Sequence, residues 1–163
     1  MTMFARFGTS GTIANDEHKN LSRCQFFIDA FENDNAPVTQ GRLVLDHIRG
    51  GGAVGVISEL IIAELLTKPM ETGDAELCDA YEALFESSSS IETFPINRQV
   101  LVQAARLRST VKSLGMPDAI HVATAKLHDC IAFVTADRRL SIPNGIRAIN
   151  LDALTIDKLR ALA

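Results

Sequence analysis

The sequence predicts an α/β fold with a mainly parallel sheet and helices on both faces. Short β-branched or aromatic runs, among them "AVGVIS" at 53–58, "IETFPI" at 91–96 and "CIAFVTAD" at 130–137, alternate with longer stretches of helical period. Such alternation implies right-handed crossovers between parallel strands. With 163 residues and 47% hydrophobic content, the chain can fill one core and is short for two ordinary domains.

Residues 1–20, "MTMFARFGTSGTIANDEHKN", are polar and lack a sustained period, so they read as a loosely held extension, with a single domain over 21–163. "CQFFIDAFEND" at 24–34 reads as a buried strand running into a helix start, and "PVTQGRLVLDHIRGGG" at 37–52 as a helix opened by Pro37 and closed by glycines. After the strand at 53–58, Ser58 reads as the N-cap of a helix that Pro69 stops. A second amphipathic helix covers 73–88, and a strand follows at 91–96. A helix over 97–115 opens at Asn97 and closes at Gly115, and another covers 116–129. The strand at 130–137, a last strand at 146–151 and a terminal helix at 155–163 complete the order, with no internal repeat.

The formal net charge of -4 provides no chain-wide basic field for nucleic acid, so such binding would need a local patch or bridging cations. Cys24, Cys78 and Cys130 stand far apart with no zinc-ligand spacing, which disfavours a disulfide framework and reads as reduced, buried thiols. Glutamates interrupt the apolar runs and no signal-like block opens the chain; the expectation is a soluble, cytoplasmic protein without a membrane segment. No GxGxxG or Walker loop supports a nucleotide-binding reading, because "RGGG" precedes a strand.

In parallel sheets ligands sit beyond the carboxyl ends of the strands. Three carboxylates fall at such places. Glu64 lies among Ile61, Ile62, Leu65 and Leu66 on a helix apolar nearly all round, where an ionised group needs a partner or a metal. Asp118 follows Pro117 in a first helical turn, and reads either as a helix-dipole residue or as a ligand. Asp137 ends the strand "IAFVTAD", and reads either as a turn cap or as a ligand. Three oxygen donors at one sheet end suit a hard cation such as Mg²⁺ or Mn²⁺, the chemistry of metal-assisted phosphoryl transfer.

The order "VISELIIAELLTKP", "MPDAIHVATAKLHDC" and "FVTADRRL", preceded by "FFIDAFENDN", resembles a PIN domain over about residues 21–150, most closely the VapC-type toxins of toxin–antitoxin pairs. The resemblance implies a three-layer α/β/α domain whose acidic cluster binds Mg²⁺ or Mn²⁺ and cleaves RNA, as a homodimer inhibited by a cognate antitoxin. It assigns Glu64, Asp118 and Asp137 to the second, third and fourth acidic positions, as metal ligands and catalytic residues. At the first position, where the family carries aspartate, the chain has Arg23. Three accounts stay open: a guanidinium filling the cation position, replacement by Asp29, or a beginning over residues 1 to about 25 that is not ancestral.

Around these acids, Thr135 reads as orienting a carboxylate or as a β-former, and Arg138 and Arg139 as an RNA phosphate contact or a solvated turn. His121 lies one turn from Asp118 and reads as its partner, as a substrate contact or as a core histidine, while His128 reads as solvent-facing. The apolar stripe over 100–114 reads as core or as part of a dimer interface.

Overall fold

The computed structural model describes residues 4–5, 40–85, 90–142, 145–155 and 157–158. They form a five-stranded sheet of order β3-β2-β1-β4-β5. The strands are β1 (Phe4–Ala5), β2 (Gly55–Ser58), β3 (Ile91–Phe94), β4 (Ala132–Thr135) and β5 (Arg147–Asn150). The helices are α1 (Gln40–Arg49), α2 (Leu60–Thr72), α3 (Ala75–Phe85), α4 (Arg98–Thr110) and α5 (Met116–Leu127).

β2 pairs with β3 and β4 with β5 in parallel, as the alternation predicts. The centre differs. β1 runs antiparallel to both neighbours, with Phe4 opposite Val56 and Phe133, and Ala5 opposite Gly55 and Ala132. Two residues of the segment read as an extension therefore join the parallel halves, while the strand expected at 24–28 lies outside the described residues.

The strand period of two divides the core by sheet face. Ile57 packs with Val44, Leu45 and Ile48 of α1, Ile61 and Leu65 of α2, and Tyr81 of α3. Its neighbour Val56 packs on the other side with Val100, Ala104 and Leu107 of α4 and with Ala119, Val122 and Ala123 of α5. Helices therefore cover both faces, giving the three-layer α/β/α architecture.

Most helix starts follow the expected chemistry. Asn97 Oδ1 accepts from the Gln99 and Val100 amides at 2.9 and 3.1 Å, and Asp74 Oδ1 accepts from Leu77 N–H at 3.0 Å. Two expected stops are corrected. Pro69 lies inside α2, which continues to Thr72 and closes on Gly73 at φ 71°. The missing proline amide costs the helix the bond to the Leu65 carbonyl without ending it, and the left-handed glycine does the terminating. α4 ends at Thr110, short of Gly115, and the intervening turn is braced by Arg108 Nε donating to the Leu114 carbonyl at 3.0 Å. Of the terminal helix expected at 155–163, residues 157–158 are helical and the rest beyond Lys158 lies outside the described residues.

Because β1 is the only described strand between the two parallel halves, removing residues 1–8 should destabilise the fold by about 2 kcal/mol or more, at roughly 1 kcal/mol per lost backbone hydrogen bond. Urea unfolding of the truncated chain checks this; an unchanged midpoint would show that Phe4 and Ala5 add nothing to the sheet.

Candidate functional site

The carboxyl ends of β2 and β4 flank the sheet centre, and the chain leaves each through a buried hydroxyl. Ser58, 0% exposed, accepts from the Leu60 amide at 3.4 Å. It works as an N-cap would, although the cap position by backbone geometry is Glu59, which has no side-chain cap bond. Thr135 closes β4, and its Oγ1 accepts from the Asp137 amide at 3.0 Å. This hydroxyl fixes the turn that carries Asp137, through its backbone amide and not its carboxylate.

Glu64 reaches the site through helical spacing. Ile61 and Leu65 face the first core, whereas Leu60 packs against the second. Glu64, four residues after Leu60, shares that side and points from α2 toward α5. There His121 Nε2 lies 3.3 Å from Glu64 Oε2, with the imidazole fully buried and the carboxylate 23% exposed. The histidine one turn from Asp118 also meets Glu64 of α2.

Asp118 and His121 occupy one face of α5 at i and i+3. Every residue from Asp118 to Ala125 is buried, so α5 is a core helix on all sides. Asp118 itself is 0% exposed. Its place in the first turn puts it near the amides that an α-helix leaves without intrahelical acceptors, which lowers the cost of burying its charge.

Asp137 stands apart from this pair of helices. Its Oδ1 accepts from the Arg139 amide at 2.8 Å, and Arg139 Nε lies 3.5 Å from the same oxygen. The turn-cap reading of Asp137 therefore describes a real contact. Arg138 and Arg139 are exposed, at the lip of the sheet end.

The oxygen chemistry of Glu64, Asp118 and Asp137 fits a hard dication. Their placement leaves the set incomplete: among the described residues no three His, Cys, Asp or Glu side chains form a group that could hold a metal ion. Arg23 and Asp29, at or near the first acidic position, lie outside the described residues.

His128 corrects its expected exposure. It is half-buried and stacked on Phe94, with ring centroids 3.4 Å apart. Desolvation holds its pKa below the ordinary 6.5, against the opposing pull of Glu92 and Asp129. The α4 stripe divides: Val100, Ala104 and Leu107 are core, whereas Leu101 and Val102 are exposed.

A three-layer α/β/α domain with carboxylates near the carboxyl end of its sheet is the class that the fold and site define. The PIN domain family matches residues 25–144, well over half of the chain, and the chain belongs to that family. Members are generally metal-dependent nucleases. The match opens at Gln25, just after Arg23 and Cys24. No curated protein and no solved structure gives a significant match. Among the described residues, no helix is long and apolar enough to cross a membrane.

The lowered His128 pKa has a definite sign in stability. The unfolded chain takes up that proton first as pH falls through about 6.5, so the folded state loses stability below that value and regains it above. In urea unfolding at pH 7.5 and 5.5, His128→Gln should lose less stability on acidification than the natural chain. Equal losses would remove His128 as the cause.

Proposed function

We propose that this chain is a divalent-metal-dependent ribonuclease of the VapC toxin type, with Glu64, Asp118 and Asp137 as its acidic residues. The observation that carries the reading is Asp118: a carboxylate with 0% exposure in a helix otherwise committed to the core, one turn from the histidine that touches Glu64. A helix-dipole contact contributes at most about 2 kcal/mol, less than the several kcal/mol that burying a charge costs. A buried acid beside a second acid is costly unless something positive shares the space.

Bound by these carboxylates, Mg²⁺ or Mn²⁺ would supply neutralisation of phosphate charge and a water acidic enough to act near neutral pH. The protein's own part is placement. Glu64 and Asp118 come from separate helices that meet beyond the sheet end, and Thr135 fixes the turn bearing Asp137. Arg138 and Arg139 lie on the exposed lip, where guanidinium groups can hold RNA phosphates despite the acidic whole. Exposed Leu101 and Val102 on α4 support assembly as a homodimer, and a cognate antitoxin is the partner this class of toxin implies.

A second reading has its own observations. The resemblance puts Arg23 at the first acidic position, and among the described residues no three His, Cys, Asp or Glu side chains form a group that could hold an ion. These favour a PIN-fold binding module that holds an antitoxin or RNA without cutting it.

Incubation of purified, partner-free protein with mixed RNA and Mg²⁺ or Mn²⁺ separates the two. The nuclease reading expects cleavage that falls in Asp118→Asn beyond the roughly 100-fold that outer-shell losses reach. Silence in the natural chain with cleavage gained in Arg23→Asp would establish the binding module on an otherwise competent scaffold.

A further inference from the structure

We infer that Arg108 and Lys112, at the turn that leads into α5, form a phosphate-binding edge for RNA beside the candidate site; this rests on the nuclease reading for its choice of RNA. Between Glu92 and Asp118 the sequence has four bases, Arg98, Arg106, Arg108 and Lys112, and no acid, in a chain of net charge -4. All four are exposed, and among the described residues none of them forms an ion pair. A surface that serves solubility alone intersperses both signs, whereas an acid-free run of this length leaves a local positive field.

The turn is held at both backbone groups of Leu114. Its N–H donates to the Val111 carbonyl at 3.1 Å, and its carbonyl accepts from Arg108 Nε at 3.0 Å. The Leu114 side chain anchors the turn in the Val56 core. Lys112 stands exposed within the turn so closed. With Nε engaged, the planar guanidinium of Arg108 is already oriented, and its two Nη groups keep their donors for a ligand. Less rotamer freedom is then lost when a phosphate binds, and a guanidinium fork matches paired phosphate oxygens. Gly115 follows at once as the N-cap of α5, whose first turn carries Asp118. An RNA strand with a phosphate on this edge therefore passes the opening of α5. Arg138 and Arg139, beyond the carboxyl end of β4, offer the strand further phosphate contacts.

The test is fluorescence anisotropy of labelled single-stranded oligouridine with the full chain, in EDTA and across a range of KCl concentrations, so that neither metal nor cleavage enters. Arg108→Gln and Lys112→Gln should each reduce the slope of log affinity against log salt by about 0.7, the value of one phosphate contact on a single strand. Arg108→Lys should keep the slope and bind more weakly, because the charge remains and the fork does not. Lys68→Gln, which removes an exposed base on α2, should leave the slope unchanged. If Arg108→Gln does not fold without its brace, Lys112→Gln, which removes no described bond, carries the comparison, with urea midpoints measured in parallel. Unchanged slopes in both variants, an equal fall in Lys68→Gln, or no salt-sensitive RNA binding by the natural chain overturns the edge. So does salt-sensitive self-association that Lys112→Gln abolishes while RNA binding is unaltered, since the exposed Glu76, Asp79 and Glu82 of α3 in a second copy would then be the occupant. The nuclease reading fails separately: a chain that shows the predicted slopes but cuts no RNA with Mg²⁺ or Mn²⁺ loses that reading and keeps the edge.

Discussion

The burial of α5 is the constraint on which the rest depends. From Asp118 to Ala125 every residue of the helix is buried, yet it carries a carboxylate and an imidazole. Taking a charge out of water costs several kcal/mol per ion even after relaxation, about the size of a domain's whole stability. The surroundings answer that cost piece by piece. Pro117 starts the helix in a way that needs no amide donor, Asp118 sits in the first turn, and His121 faces Glu64. Arg108 braces the preceding turn through the Leu114 carbonyl, which fixes where the helix begins.

The sheet serves the same end. β2 and β4 each finish on a buried hydroxyl that bonds an amide two residues on, so both chains turn sharply just where the acids are delivered. α2 leaves β2 with one side toward each core, and Glu64 falls on the side that meets α5. Among the described residues, the parallel halves are joined by an antiparallel β1. The family match over residues 25–144 contains Glu64, Asp118 and Asp137 but not Arg23.

Much of this was legible in the sequence where one local rule dominates. β-branched runs set β2, β3 and β4, Asn97 announced α4, and Pro117 announced α5. Local rules failed where two competed. Pro69 reads as a stop, but the glycine at Gly73 supplies the left-handed turn that ends the helix. The central strand was beyond reach because Phe4 and Ala5 are chosen by pairing with two distant strands, which no local period records. For the site, the contact of His121 with Glu64 was not legible in the sequence. Helical spacing brings it near Asp118, and only the packing of α2 across the sheet end brings Glu64 to it.

The central claim is that a cation binds at the mouth of α5. Paramagnetic line broadening by substoichiometric Mn²⁺, followed in backbone NMR spectra of the natural chain, tests it without relying on activity. The account predicts that signals from Glu64, Asp118 and His121 vanish first, with the turn at Asp137 close behind. Broadening that begins elsewhere, or that spreads evenly over the acidic surface, would contradict it.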